Sequence, residues 1–248
     1  MGAGPNKQGS PPSPFFWLHI KKAGGTSIRS MLHPHYREVD RTGRPPCFIQ
    51  SSPAEYNDIL NNYRVVLGHY QFRRAQFART YLYPGHWDQM LSFAFAREPI
   101  SRAISMFYYL FWGSFPNRLL NMRRFRRPSF TMAQTFDLFL DCLEEFRAGN
   151  SSYYKGDLHF PTHTAALWGD VTDEAGKVLL TRLYRLESLG PAVNQVLTDC
   201  GLPPYTAQPP VKNRAARKER YTPTPHQRQR VERLFAKDFD LYENAISL

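Results

Sequence analysis

The chain of 248 residues has the length of one α/β domain, and its 42% hydrophobic residues exclude general disorder because they can build a substantial core. Lys and Arg outnumber Asp and Glu by 32 to 21, so the formal net charge of +11 favours anionic partners without choosing among nucleotides, nucleic acids, sulfated glycans and membrane surfaces. Three widely separated cysteines argue against a disulfide framework and a zinc site, and no apolar run approaches the roughly 20 residues of a membrane span.

Residues 1–14 are rich in Gly, Ser and Pro, which is typical of a flexible lead. We expect one folded domain over residues 15–248. The N-terminus lacks the apolar core of a signal peptide, so we expect the protein in the cytoplasm, or in the Golgi lumen if a membrane anchor precedes the sequence.

The first predicted strand is the apolar and aromatic run from Phe15 to Ile20, with prolines before it and a glycine pair after it. The hydroxyl-rich segment Thr26–Leu32 has the composition of a helix start. The sequence therefore predicts a strand, a glycine-containing loop and a helix in succession.

A second strand is predicted further along the chain. The capping box Ser52–Glu55 begins a helix that we expect to run to about Asn62. The β-branched run Tyr63–Leu67 follows as a strand, which places His69 at its carboxyl end.

The third predicted strand, Leu91–Ala96, ends at Arg97 and leads through Pro99 into a helix that we expect to reach about Trp112. The elements predicted beyond it are a helix over Phe136–Phe146, a strand over Val178–Leu186, a helix over Leu189–Cys200, a basic loop over Gln208–Thr224 and a final helix over Pro225–Leu241. Strands that alternate with helices predict an α/β fold with a mostly parallel central sheet flanked by helices.

The segment from Lys21 to Ser27 has the features of a phosphate-binding loop. Gly24 and Gly25 let backbone N–H groups approach an anion closely, the helix after them presents N–H groups and a partial positive charge, and Lys22 adds a full charge. A simple turn between strand and helix explains this segment alone equally well, because short glycine motifs often occur by chance.

A second candidate anion site follows the third predicted strand. Arg97 leaves the strand end and Ser105 lies eight residues later, about two helical turns on, so a guanidinium and a hydroxyl can converge on one anion. A solvated helix face that includes Arg102 and Ser105 is the alternative. Because ligands collect at the carboxyl ends of parallel strands, we expect this segment, the Lys21–Ser27 loop and His69 to share one cleft. Together the two segments favour a ligand with phosphates at two ends.

Both segments resemble signatures of the sulfotransferases that use 3'-phosphoadenosine 5'-phosphosulfate (PAPS), especially the carbohydrate branch that is similar to heparan sulfate 2-O-sulfotransferase. The family pattern His-Ile-Pro-Lys-Thr-Gly-Gly-Thr-Ser matches His19–Ser27, with Lys21 for proline and Ala23 for threonine. The pattern Arg-Asp-Pro-x-x-Arg-x-x-Ser matches Arg97–Ser105, with Glu98 for aspartate. The likeness covers most of residues 15–243, and further segments resemble family landmarks in the same order: Gly68-His69, His159-Phe160-Pro161, Arg185-Leu-Glu187 and Asn213–Tyr221.

The resemblance implies a P-loop-kinase-like sulfotransferase fold and a set of donor-binding residues. The residues implied for the 5'-phosphosulfate are Lys21, Lys22, Ala23, Gly24, Gly25, Thr26 and Ser27. Arg97 and Ser105 would hold the 3'-phosphate, and Lys212 and Arg214 in the basic loop would cover the nucleotide. The donor would leave as adenosine 3',5'-bisphosphate (PAP), and the acceptor would be a hydroxyl of a glycan or a small metabolite.

The implied transfer needs two catalytic residues. Lys22 would stabilise charge on the bridging oxygen of the leaving phosphate, and His69 would remove the acceptor's proton. His69 is similar to a histidine that acts as base in the 2-O-sulfotransferase branch, and an ordinary histidine titrates at about 6.5. A packing or substrate-binding role for His69 is the alternative. His159 and Arg102 are weaker candidates for contacting the acceptor, and we expect no metal ion to take part.

Two other functions stay open from the sequence. A P-loop nucleotide or small-molecule kinase would share the fold and the loop, but the loop lacks the Gly-x-x-x-x-Gly-Lys-Ser/Thr pattern and no partner for magnesium is evident. A non-catalytic anion- or nucleic-acid-binding protein would also account for the charge of +11. The sulfotransferase interpretation expects an anionic nucleotide donor and no nucleic acid.

Overall fold

The computed structural model describes residue 13 and residues 15–35, 73–112, 130–149, 159–207 and 221–248. Within these residues three parallel strands form a small sheet in the order β1–β2–β3, where β1 is Phe15–Trp17, β2 is Leu91–Ala96 and β3 is Arg182–Arg185. Trp17 lies beside Phe93 of β2, and Ala96 at the end of β2 lies beside Arg185. The chain is therefore mixed α/β with a parallel sheet, as the alternation of elements predicts.

Helices precede, connect and follow the strands. The α-helices of the described residues are α1 Gly25–Leu32, α2 Arg74–Phe77, α3 Pro99–Phe107, α4 Met132–Arg147, α5 His159–Thr164, α6 Leu167–Val171, α7 Leu189–Asp199, α8 Pro225–Leu234 and α9 Ala236–Glu243. Short π-helical segments extend α2 over Ala78–Leu82 and α3 over Tyr108–Trp112. Single 3-10 turns lie at His33–His35, Trp87–Gln89 and Leu186–Ser188. No helix in the described parts of the chain combines the length and the apolar character of a membrane span.

Helices cover both faces of the sheet because the strand side chains alternate between two cores. One face packs against α1 and α7 through the aromatic residues Trp17, Phe93, Phe95 and Tyr184. The opposite face packs against α2 and α6 through Phe16, Ala94 and Ala96. A separate aromatic core joins α3, α4, α5 and α8 through Phe107, Phe111, Phe136, Phe139 and Phe160.

The C-terminal segment covers the outer edge of β3. The backbone N–H of Ile246 donates to the Leu183 carbonyl at 2.8 Å, and Arg185 N–H donates to the Ile246 carbonyl at 2.9 Å. An edge strand presents unpaired backbone groups, and this short pairing satisfies part of that edge.

Reciprocal capping boxes fix the starts of α4 and α8. Thr131 Oγ1 accepts from Gln134 N–H at 3.2 Å while the Gln134 side chain accepts from Thr131 N–H at 2.9 Å. Thr224 and Gln227 form the same reciprocal arrangement at the start of α8, with proline in the first helical position. These are capping boxes, which satisfy backbone donors that a helix start leaves unpaired.

Four predicted elements differ from the structure in their boundaries by more than one residue. The helix predicted over Phe136–Phe146 begins earlier, at Met132. The first strand ends at Trp17 rather than Ile20, and the predicted strand Val178–Leu186 is shorter, since Val178 forms an isolated antiparallel bridge and Leu186 starts a 3-10 turn. The single helix predicted over Pro225–Leu241 is two helices, because Phe235 leaves the helical region at φ −123° and ψ 25°. Phe235 is 3% exposed in the aromatic core, so packing of its ring accompanies the break.

Several predicted elements cannot be compared with the structure. The helix from Ser52, the strand Tyr63–Leu67 and residues 208–220 of the basic loop lie outside the described residues. They stay predictions.

Candidate functional site

The loop that follows β1 crosses to α1 in a tight, unusual conformation. Ala23 N–H donates to the Ile20 carbonyl at 3.2 Å, and Lys22 and Gly24 have positive φ angles of 66° and 73°. A non-glycine residue in this left-handed region is uncommon and persists when its surroundings impose it. The left-handed backbone conformation of Lys22 is therefore imposed by its surroundings and not by the local preference of lysine.

Both glycines are required by close packing. A Cβ on Gly25 would lie 1.9 Å from His19 Nε2, and a Cβ on Gly24 would lie 2.6 Å from Leu186 Cδ1 in addition to the positive φ. His19 in turn stacks on Trp17, with ring centroids 5.1 Å apart. The Gly-Gly pair thus lets α1 begin directly against the end of β1, whatever the loop binds.

The predicted loop residues differ in their access to solvent. Ala23, Gly25 and Ser27 are buried. Lys21, Lys22 and Gly24 are half-buried, and Thr26 is exposed. The side chains with access to the surface are therefore the two lysines and Thr26.

Three arginines from two segments of the chain, one around α2 and one after β2, donate hydrogen bonds to carbonyl groups of this loop. The hydrogen bonds are Arg74 Nη1 to the His19 carbonyl at 2.9 Å, Arg102 Nε to the Lys21 carbonyl at 3.2 Å and Arg97 Nη1 to the Lys22 carbonyl at 3.3 Å. Arg97 follows β2 directly, and Arg102 lies in α3. The loop after β1 and the segment after β2 are therefore joined at the same edge of the sheet, as parallel neighbours require.

Buried carboxylates orient two of these arginines. Asp170 accepts from Arg74 in a bidentate pair at 2.8 and 2.6 Å, and both side chains are at most 1% exposed. Asp238 accepts from Arg102 Nη1 at 3.0 Å, and Arg102 Nη2 donates to the Ala165 carbonyl at 2.8 Å. Planar bidentate and charge-assisted hydrogen bonds fix the direction of a guanidinium, so the loop carbonyls face rigid donors.

Arg102 was predicted as a weak substrate contact or as part of a solvated helix face. It is 3% exposed, so the helix-face interpretation is wrong. Its hydrogen bonds go to Asp238, Ala165 and Lys21, which favours a structural role over contact with a substrate. Neither Asp170 nor Asp238 was recognised from sequence, because the partners lie 96 and 136 positions apart and no local motif marks them.

Burial controls the electrostatics of the Arg102–Asp238 pair. Burial lowers the pKa of Arg102 below its ordinary value, and the attraction of Asp238 opposes this shift. Burial likewise raises the pKa of Asp238, against the attraction of Arg102 and hydrogen bonds from the backbone N–H groups of Trp168 and Leu167. Each charge is held in the interior by the other. The pair adds no net charge, so the positive character of the loop comes from Lys21, Lys22 and Arg97.

The ammonium group of Lys22 lies over an aromatic ring. Its Nζ is 4.0 Å from the ring centroid of Tyr109, a half-buried residue in the π-helical extension of α3. Tyr109 stacks on His163 of α5, with centroids 4.5 Å apart and planes 23° from parallel. The sequence analysis assigns no role to Tyr109, because no local motif marks a contact between this ring and the loop.

Of the two residues of the second predicted anion site, Arg97 follows the strand and Ser105 lies in the helix that the sequence predicts. Arg97 is half-buried between β2 and α3, and Ser105 is half-buried about two turns into α3. Glu98 caps this helix, since its carboxylate oxygens accept from Ile100 N–H at 2.9 Å and Ser101 N–H at 2.6 Å. An acceptor at a helix start holds Arg97 at the strand end and directs the chain into α3.

The structure does not describe the side chains of four predicted site residues. His69, Lys212 and Arg214 are outside the described residues, and His159 is the first residue of α5 without a described side chain. Their roles stay predictions.

Comparison with known proteins finds no match to this chain. No protein-family model matches the chain. No curated protein and no solved structure matches it either.

Proposed function

We propose that the protein is a PAPS-dependent sulfotransferase with a P-loop-kinase-like sulfotransferase fold. The observation that carries the proposal is the hydrogen bond from Arg97 to the Lys22 carbonyl at 3.3 Å, which joins the two segments that resemble the family's donor-binding signatures. Parallel strands bring their carboxyl ends to one edge, and ligands of open α/β sheets bind at such edges. A donor with phosphates at both ends of a nucleoside needs two separate anion sites at the same edge of the sheet.

The loop after β1 is the proposed site of the 5'-phosphosulfate. Its carbonyl groups at His19, Lys21 and Lys22 accept hydrogen bonds from arginines. These three oxygens are therefore paired with cations and repel a bound anion less. Lys22 supplies a positive charge, and α1 begins at Gly25 with its partial positive end toward the loop.

Arg97 and Ser105 are the proposed site of the 3'-phosphate. They lie on the strand end and on the helix that follows, with Arg97 held by its hydrogen bond to the loop. A guanidinium matches phosphate oxygens in geometry as well as charge. Lys212 and Arg214 would then cover the nucleotide from the basic loop.

The proposed chemistry is an in-line transfer of the sulfuryl group to a hydroxyl of a glycan or small metabolite. The acceptor oxygen forms a bond to sulfur while the bond between sulfur and the bridging phosphate oxygen breaks. Lys22 stabilises the charge that develops on that bridging oxygen, and His69 takes the acceptor's proton. PAP leaves as the second product.

Transfer of radiolabelled sulfate from PAPS to a panel of glycan, phenol and alcohol acceptors tests this function. We expect label in at least one acceptor with the wild type and none with Lys22→Met. The matched control is Lys177→Met, which removes a lysine that is exposed and far from the loop in sequence, and it should keep full activity.

The same panel separates the competing kinase function. Incubation with adenosine triphosphate and magnesium should leave every acceptor unphosphorylated. A phosphorylated product, or labelled sulfate transfer that survives Lys22→Met, would contradict the proposal.

A further inference from the structure

The Lys22 ammonium has a ring beneath it that the proposed function does not use. Lysine carries its charge on a flexible four-carbon stem, and ordering that stem costs conformational entropy. At 4.0 Å from the Tyr109 centroid, Nζ is well inside the distance at which an ammonium is attracted to the face of an aromatic ring.

The ring itself is fixed by two neighbours. His163 is 9% exposed and stacks on Tyr109 with centroids 4.5 Å apart, so the ring plane is supported from α5. Leu110 and Phe111, the next residues of the same helical segment, are buried in the aromatic core and anchor its backbone. Tyr109 is half-buried, packs against the edge of the same core and presents its ring face to the Lys22 ammonium.

This arrangement links the two donor-binding segments a second time. The backbone of Lys22 is held by Arg97, just before α3, and its side chain lies on a ring from the π-helical extension of that helix. The segments at the two ends of α3 therefore position both the carbonyl and the ammonium of Lys22.

We propose that Tyr109 is a positioning residue that holds the Lys22 ammonium at the 5' end of the bound donor, an inference that rests on the proposed function. The ring acts through its face, so the phenol hydroxyl is dispensable. Tyr109→Phe should keep the affinity for PAP, whereas Tyr109→Leu should weaken it about two- to thirty-fold, the range that corresponds to typical cation–π contributions.

Titration calorimetry with PAP and NMR of lysine labelled at Cε test the inference together. In the wild type the Lys22 ε-protons should be shifted upfield by the ring current of Tyr109, and Lys22→Arg assigns the signal by its disappearance. The shift should persist in Tyr109→Phe and vanish in Tyr109→Leu. Tyr81→Leu is the matched control, because Tyr81 is 38% exposed and belongs to the extension of α2, and it should change neither readout.

A double-variant cycle separates positioning from packing. In the Lys22→Met background, Tyr109→Leu should cause no further loss of PAP affinity, because the ring then has no ammonium to hold. An equal loss in both backgrounds, an unchanged Lys22 signal in Tyr109→Leu, or tighter PAP binding by that variant would overturn the inference. If the wild type binds no PAP, the proposed function fails, and the ring-current shift alone decides whether Tyr109 positions Lys22.

Discussion

Replacing Asp238 with alanine removes the acceptor at the centre of the buried network behind the Lys21 carbonyl. Asp238 is 2% exposed and accepts from Arg102 at 3.0 Å and from the backbone N–H groups of Leu167 and Trp168 at 2.9 Å. Its loss leaves an uncompensated guanidinium in the interior, and breaking a buried pair in this way costs about 3–5 kcal/mol. Because domains are stable by only roughly 5–15 kcal/mol, we expect Asp238→Ala to lose a large part of the free energy of unfolding.

Urea unfolding of the wild type, Asp238→Ala, Arg102→Met and the double variant measures this effect. The loss of unfolding free energy in the double variant should be smaller than the sum of the two single losses, by at least about 2 kcal/mol. The reason is that removing Arg102 also removes the unpaired charge. Asp199→Ala is the matched control: Asp199 pairs with Arg182, but both side chains are more than a quarter exposed, at 27% and 28%, and solvent screens the pair. Its loss should be much smaller.

Two results would refute the reasoning on Asp238. One is a loss below about 1 kcal/mol, which would mean that the carboxylate does not support a buried charge. The other is additive losses in the double variant.

Three further predictions concern parts of the chain outside that network. Gly25→Ala would bring a Cβ within 1.9 Å of His19 Nε2, so the thermal midpoint should fall by roughly 3–10 °C, and an unchanged midpoint would show that the imidazole moves freely. Hydrogen bonds from Arg230 lower the pKa of Glu144 below its ordinary value of 4.5, so its ionised form contributes stability that is present above pH 4.5 and lost as the pH falls through the folded-state pKa. Glu144→Gln should therefore flatten the acid side of the pH–stability curve, whereas parallel curves for variant and wild type would argue against this pairing. Thr131→Ala should lose about 1 kcal/mol in urea unfolding through its capping box and Thr131→Ser much less, and equal losses would count against the cap.

The succession of β1, the loop after it and α1 was predictable because several local sequence signals agree there. The apolar run after Phe15, the Gly24-Gly25 break and the hydroxyl-rich helix start all indicate a strand, a loop and a helix, and the structure contains them in that order. Leu91–Ala96 was predicted with its observed bounds, since the run is uniformly apolar and an arginine and a proline follow it.

Tertiary contacts decided what the sequence could not. Arg102 reads as a surface residue by its charge, yet Asp238 from the far end of the chain makes its burial possible. The break at Phe235 is similar, since the stretch has no glycine or proline there and the ring packs into a core built from other helices. Such features depend on partners distant in sequence, which local patterns do not encode.

The sequence predicts that the two candidate anion segments lie at the same edge of the sheet, but not which atoms join them. Parallel strand ends implied a shared edge, but the hydrogen bond from Arg97 to the Lys22 carbonyl uses a backbone acceptor and carries no sequence signal. The contact between the Lys22 ammonium and the Tyr109 ring likewise carries no sequence signal. The proposed base His69 lies outside the described residues, and its role stays a prediction from the sequence.

Calorimetry with a matched pair of nucleotides tests the two-site donor model most directly. Wild type and Arg97→Ala would each be titrated in moderate salt with PAP and with adenosine 5'-monophosphate, which lacks the 3'-phosphate. A hydrogen bond to a charged group contributes about 1.5–3 kcal/mol, so Arg97→Ala should weaken PAP binding at least about tenfold more than it weakens binding of the monophosphate. Equal weakening of both nucleotides, or no PAP binding by the wild type, would contradict the model.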